Sequence, residues 1–488
     1  MLQKIVYQFA KLWHLLLPTP CQWCSLPVQH FQRQLCQSCQ QALPLLPYQA
    51  CHYNLLWLPQ VARGLASTRF DALLSVSYYQ QPYRHWLQRW KFAQDYAAGD
   101  LLLQQVANLL LLRGNFGKPG AGIGPIRGHS NVQGDRTVGI DEKPTARYLD
   151  RVQQVFGFDP RREHGHHVVE SIAAMLDGSA KVFIGMGGNF IHAVPDTERA
   201  YEAMRKLELT VGIATKLNRG HLVHGRDALI LPVVARSEWI RTPKGEQFVT
   251  IEDAMSNVTA SRGVLEPASE HALPEVEIVC RMAMAALPDS KVDWAAYMHD
   301  YGPIRDLIAA VYPDIYAGFN ERIQALHGFH LDIPPRRRVW PTPNGKANIL
   351  VMPGLEVNTV VDDPEMLRLA TVRSHDQYNT TIYGFDDRYR GVSGRRDVVF
   401  LNRDDMRARG LQSGDRIEVE SRVGDAVRRL SGFIAVEYDL PRGSAAMYYP
   451  EGNRLVPLDS HDPQSGTPAY KSIPVTIRTL RDLHADAG

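Results

Sequence analysis

Glutamate is missing from the first 141 residues of this 488-residue chain; the first is Glu142. Cysteine is scarce beyond Cys51, where Cys280 is the only one of the six. No apolar run approaches the roughly 18 residues a membrane span needs, so no span is expected. The stretch Leu12–Leu17 is short and interrupted by His14, and no twin-arginine start precedes it. A secretory signal is therefore not expected, and a cytoplasmic location is. Excess charge of one sign is absent too: the formal net charge is +2, which does not call for nucleic acid. With 44% hydrophobic and 22% charged residues, neither a disordered nor a collagen-like chain fits. The length exceeds what one core fills, so two or three domains are expected.

These averages conceal a seam. Residues 1–110 hold 17 glutamines and carry a balance of +5; residues 111–488 hold 8 glutamines and carry −3. The change falls inside an apolar run near Leu109–Arg113, whereas linkers between domains are usually polar. Two sequences of different origin, joined there, are one account of it.

Before the seam, Cys21-x-x-Cys24 and Cys36-x-x-Cys39 form two pairs eleven residues apart. Each pair can place two thiolates on one tight turn, and four thiolates satisfy tetrahedral zinc with no open position. Two disulfides are the alternative, disfavoured without a secretory signal. Cys51 and His52 read as a packed thiol and a surface histidine. Phe70–Tyr79 reads as a strand. Tyr83–Phe92 is amphipathic; its aromatics beside Arg and Lys could stack bases, though a helix burying Trp86, Leu87 and Trp90 accounts for them as well.

After the seam, Gly114–Gly134 is rich in glycine beside Arg127, His129, Asn131 and Gln133, which lets backbone approach a polar ligand. Strands are expected at Lys181–Ile184, Leu209–Ala214 and Ala228–Leu231, with a helix at Thr197–Leu207. That alternation predicts a parallel sheet, with ligands at the carboxyl ends of its strands. The Gly185–Asn189 turn is a candidate phosphate contact; it is not a nicotinamide fingerprint, because Phe190 stands where the third glycine belongs. Residues 275–330 read as helical, with Cys280 as a buried core thiol. From about residue 369 the period becomes strand-like, as in Arg416–Glu420 after the turn at Ser413–Asp415. A β-barrel is expected there.

Residues 18–110 resemble the start of the ComF/GntX family of phosphoribosyltransferase-like proteins, through the two cysteine pairs, the strand and Leu87–Trp90–Lys91–Phe92. That family's ribose-phosphate loop is not found; Val360-Val361-Asp362-Asp363 begins like it, but Pro364-Glu365 follows. Residues 111–488 resemble the second half of a molybdopterin oxidoreductase of the formate dehydrogenase-like alpha-subunit type. Gly114–Gly134, Gly185–Pro195, Arg373–Tyr383 and Glu451–Lys471 carry this resemblance in order.

The second resemblance implies molybdenum held by two molybdopterin guanine dinucleotides, a small-molecule substrate such as formate, and an electron acceptor that is not specified. By it, Arg127 would orient a small carboxylate, and His129 stands where formate dehydrogenases often carry glutamine. Asn131, Gln133 and Gly134 would continue a cofactor-facing loop. Gly185, Gly187, Gly188 and Asn189 would meet a dinucleotide. Arg373, Gln377, Tyr378, Asn453, Tyr470 and Lys471 would form the cofactor-binding edge of the barrel. The family's 4Fe-4S cysteines and molybdenum ligand lie in its first half, which finds no counterpart here.

The expected architecture is α/β. Residues 1–110 are a zinc ribbon and the start of a phosphoribosyltransferase-like domain. Residues 111–365 are a partial parallel-sheet, dinucleotide-binding domain, and 366–488 a cofactor-binding β-barrel. The expected function is a molybdopterin-dependent oxidoreductase, inactive as this chain alone. The alternatives are a zinc-ribbon protein of DNA uptake or nucleotide metabolism, and a fusion of two gene fragments without function.

Overall fold

The computed structural model describes residues 107–124, 131–349, 365–380, 382–423, 426–462, 466–471 and 473–480. All belong to the second of the two units into which the chain divides, Asp100–Gly488. Cys21, Cys24, Cys36 and Cys39, and with them the expected zinc ribbon, lie outside the described residues, as do Arg127 and His129.

Three helices open the α/β lobe: α1 (Asn131–Thr137), α2 (Ala146–Phe156) and α3 (Val168–Asp177). Their ends follow from local chemistry. The Thr145 hydroxyl accepts the Tyr148 N–H at the start of α2, and Gly157 ends it at φ 72°. At the start of α3 the His167 ring accepts the Glu170 N–H, and the Glu170 carboxylate accepts the His167 N–H, a reciprocal cap.

The strands follow the expected alternation. β1 (Val182–Met186), β2 (Leu209–Ala214) and β3 (Asp227–Pro232) form a three-stranded parallel sheet in that order. Between β1 and β2 run the short α4 (Phe190–Ala193) and α5 (Thr197–Arg205). Ile172, Met175, Ile191, Ala203, Met204 and Leu207 bury one face of this unit. Gly185, expected in the turn after β1, is inside the strand; the turn begins at Gly187.

Residues 240–261 hold strands that apolar periodicity did not announce. β4 (Ile240–Thr242) and β5 (Gly245–Gln247) make a tight hairpin at Gly245, whose φ is 104°. β6 (Val249–Glu252) and β7 (Asn257–Ser261) pair antiparallel, and β7 also pairs with β8 (Phe329–His330). The helical expectation for 275–330 holds for α6 (Glu275–Ala286) and α7 (Gly302–Val311) but ends in β8. Cys280 on α6 is buried, as expected.

The C-terminal part is a closed six-stranded barrel. β9 (Leu367–Val372), β10 (Val398–Leu401), β11 (Arg416–Val423), β12 (Ala426–Glu437), β13 (Ser444–Tyr448) and β14 (Ile473–Thr479) close in the order β10-β12-β11-β14-β9-β13. The alternation in β11 sends Ile417, Val419 and Ser421 inward. Leu369, Val399, Ile417, Val419, Ala435 and Met447 fill the interior at zero exposure. Helix α8 (Arg403–Ala408) is capped by Asn402, whose side chain accepts the Asp404 N–H.

Candidate functional site

The parallel sheet sends its strand ends toward one place. At the end of β1, Gly187 and Gly188 take φ of 69° and 66°, and a Cβ at either would meet nothing within 4 Å. These are conformations that side chains other than glycine adopt only with strain, held open beside empty space. The Gly187 N–H donates to the Ile213 carbonyl of β2 at 2.8 Å. The Asn218 amide, just beyond β2, donates to the Gly188 carbonyl at 3.2 Å. A crevice of about 70 Å³ opens here, with Gly187, Gly188, Asn189, Asn218, Gly220 and His221 in its wall. That volume suits a phosphoryl-sized group; a nucleotide would lie across its mouth.

Among the described residues, Asn189 Oδ1 and His192 Nε2, one and four residues past the turn, are buried without a hydrogen-bond partner, as is Asn453 Oδ1, whose amide bonds the His192 carbonyl. Buried polar atoms are nearly always paired, so a pair of orphans at a glycine turn is the mark expected of a ligand's place. The other His192 nitrogen, Nδ1, lies 3.3 Å from the Tyr201 hydroxyl. Burial, aided by the positive Arg219 nearby, holds the His192 ring below its ordinary titration range.

The barrel closes over this turn. The Asn189 amide donates to the Thr380 carbonyl at 3.4 Å, across 191 residues. At the end of α4, the Ala193 carbonyl accepts from Tyr470 Oη at 2.7 Å, Tyr449 Oη at 3.2 Å and Asn453 Nδ2 at 3.3 Å; Asn453 also donates to the His192 carbonyl at 2.9 Å. Burial pushes the Tyr449 phenol up to about 12 and raises that of Tyr470, so both stay protonated donors. Below them Arg428 donates twice to Asp196 Oδ2, at 2.6 and 3.0 Å, with side chains 9% and 7% exposed.

The loop carrying Thr380 is itself pinned. Gln377 Oε1 accepts from the Ser374 N–H at 2.8 Å, and its amide donates to the Asn379 and Tyr449 carbonyls at 2.7 and 2.6 Å. Arg396, almost wholly buried, spans Glu451, Ser374 Oγ, Gln377 Oε1 and the Tyr449 carbonyl, and stacks on Tyr383 at 4.2 Å. Behind it Asp387 accepts from Arg390 at 2.6 Å and Tyr448 Oη at 3.0 Å, with His375 Nδ1 at 3.0 Å. Burial opposes the Asp387 charge, but these bonds outweigh it and keep the carboxyl below its usual range.

The structure thus gathers Gly187, Gly188, Asn189, Gln377, Asn453 and Tyr470 in one region, with the Arg373 guanidinium 5.8 Å from the Tyr449 ring. It does not gather the others. Asn131, Gln133 and Gly134 are expected on a cofactor-facing loop but lie on helix α1. There Gln133 donates to Glu252 at 2.5 Å and Ser256 at 3.0 Å, and a Cβ on Gly134 would press 3.3 Å from Glu252 Cβ. Tyr378 is 56% exposed, and Lys471 donates to the Thr371 carbonyl within the barrel. The sequence reading missed His192, Asn218, Arg396 and Tyr449. Asn218-x-Gly220, just after a predicted strand, was the available sign; Arg396 stands among other charges with none.

Residues 367–474 match the family described as Molydopterin dinucleotide binding domain. The chain is 48% identical to Protein YdeP of Escherichia coli K12 over 383 residues, 77% of this chain and 50% of that protein. It is 49% identical to an uncharacterized oxidoreductase of Mycobacterium tuberculosis H37Rv over 380 residues, 76% of this chain and 48% of that one. It is 22% identical to Formate dehydrogenase H of E. coli K12 over 411 residues, 78% and 54% of the two chains. The chain spans about half the length of these curated relatives. The resemblance to molybdopterin dinucleotide-binding oxidoreductases, and the barrel expected for their cofactor, are borne out. No helix among the described residues is long and apolar enough to cross a membrane.

Proposed function

We propose that the α/β lobe and barrel hold a molybdopterin guanine dinucleotide and serve an oxidoreductase of the formate dehydrogenase-like kind. The observation that carries this is the Gly187–Gly188 turn with its two orphaned atoms, Asn189 Oδ1 and His192 Nε2, roofed by the dinucleotide-domain barrel.

The residues present fit such a group. The glycine turn is open to a phosphoryl oxygen, and the exposed Arg219 supplies positive charge beside it. Asn189 Oδ1 accepts an N–H, and His192 Nε2 takes either role. Gln377, Asn453 and Tyr470 fix the backbone that carries these atoms. When bound, the molybdenum cofactor supplies the two-electron chemistry. By the resemblance alone, Arg127 would orient the carboxylate of a small acid such as formate by bidentate hydrogen bonding.

The test is pterin content. The chain, produced in a molybdopterin-making host, is oxidised with iodine, and the released fluorescent pterin and guanosine monophosphate are quantified. Wild-type chain is expected to release both, and Gly188→Val neither. Absence of both from a folded wild-type chain overturns the reading.

A further inference from the structure

The chain as a whole is nearly neutral at +2, with 52 acidic residues among its 488. Two described segments break that evenness. Residues 107–124 and 333–349 contain no Asp or Glu, yet hold Arg113, Lys118, Arg336, Arg337, Arg338 and Lys346. Glycine and proline punctuate both segments, which keeps them as turns on the surface.

The fold joins the two. Arg338 Nε donates to the Phe116 carbonyl at 3.0 Å, across 222 residues. The rings of Phe116 and Trp340 meet edge to face at 5.8 Å. Gly117, at φ 67°, is the point of closest fit: a Cβ there would lie 2.7 Å from Arg338 Cγ and 2.9 Å from the Arg336 carbonyl oxygen. Arg113 and Lys346 are no more than six residues from this junction, so chain reach keeps them within about 20 Å of it. Two acid-free segments thereby become one basic surface.

Most of its charge is unspent. Arg337 pairs with Asp332 at 2.9 Å, and Arg336 donates to the Met255 carbonyl. Arg113, Lys118, Arg338 and Lys346 are exposed and have no carboxylate partner among the described residues. A field of one sign on a near-neutral protein attracts and orients an anionic partner.

The kind of anion follows from what else the surface offers. Phe116 and Trp340 pack on each other, so neither ring is presented flat for a base to stack on. The regular element at 334–337 is a single 3-10 turn, too short to enter a groove of a duplex. The net charge of +2 is small for binding a phosphate backbone without such contacts. We propose that this surface binds an acidic polypeptide segment of a partner protein, whose carboxylates pair with Lys118, Arg338 and Lys346.

The test titrates the full chain with a fluorescein-labelled peptide of alternating glutamate and glycine, read by anisotropy. Saturable binding is expected, at least tenfold weaker when salt is raised from about 0.02 to 0.3 M. Lys118→Glu with Lys346→Glu should weaken it at least tenfold, and Lys118→Arg with Lys346→Arg should keep it. Lys244→Glu with Lys291→Glu makes the same charge change at exposed positions outside the patch and should leave binding within about twofold of wild type. All four lysines are exposed, so thermal unfolding should match wild type throughout. Three results overturn the proposal. One is no saturable binding, or equal binding by wild type and the Lys118→Glu, Lys346→Glu variant. Another is equal loss in the two charge-reversed variants, which makes net charge the cause. The third is tighter binding of duplex DNA than of the peptide at the same salt, which makes nucleic acid the partner. None of these readouts involves a cofactor, so failure here leaves the pterin test untouched.

Discussion

At the residue scale the site is governed by atoms left without partners and by one ring that resists charge. His192 is held neutral by burial and by Arg219, so its folded-state titration lies below the ordinary 6.5. A depressed folded value means that the unfolded chain takes up the proton first. Stability is therefore complete above about pH 6.5 and declines as pH falls toward the folded value. Urea unfolding between pH 7.5 and 5 should show this slope, and His192→Gln should flatten it. Arg396 makes a second case. Arg396→Met removes the bonds to Glu451, Ser374 and Gln377 and leaves the partly buried Glu451 carboxylate without its guanidinium partner, so a loss of about 1–3 kcal/mol is expected by urea titration. Neither residue could be picked out beforehand. A histidine third in a single helical turn and an arginine in an Arg395-Arg396-Asp397 run look like any others until the chain folds over them. Gly187 and Gly188 were legible, because a doubled glycine after an apolar strand has few other uses.

At the scale of elements, what matters is how the lobe grips the barrel. Asp196 and Arg428 form a nearly buried pair between the start of α5 and β12. Removing one partner strands the other charge. Asp196→Ala should cost about 3–5 kcal/mol, and the double change to Ala and Met distinctly less than the sum of the single changes, as a double-mutant cycle by chemical denaturation would show. The strands themselves were largely readable: Leu209–Ala214 has the expected bounds, and the alternation of Arg416–Glu420 belongs to a barrel strand. The hairpins at 240–261 were not, because their strands are three to five residues long, too short for an alternation to stand out from its surroundings. Asn131, Gln133 and Gly134 were misplaced for a related reason. Glycine beside polar residues fits a ligand loop and a close helix-to-strand contact equally well, and only the position of Glu252 decides between them.

At the scale of the whole described unit, the bonds that join lobe and barrel include a cluster converging on the carbonyls of His192 and Ala193. Tyr470→Phe with Asn453→Ala removes two donors from that point. Calorimetry of this variant is expected to resolve two transitions where the wild type gives one, with the barrel the more stable, since its interior is lined mainly by fully buried aliphatic residues.

The same carbonyls fix an order of events in the cell. Tyr470 and Ala193 are 277 residues apart, and at a synthesis rate of about 5–20 residues per second that interval lasts roughly 14–55 s. Through that window the Gly187–Gly188 turn has left the ribosome while its roof has not yet been made. Any large, anionic ligand can enter from the side then, and the late-emerging barrel closes behind it. Once Tyr470 and Asn453 have engaged, entry requires the lobes to part, so a chain completed empty would fill slowly.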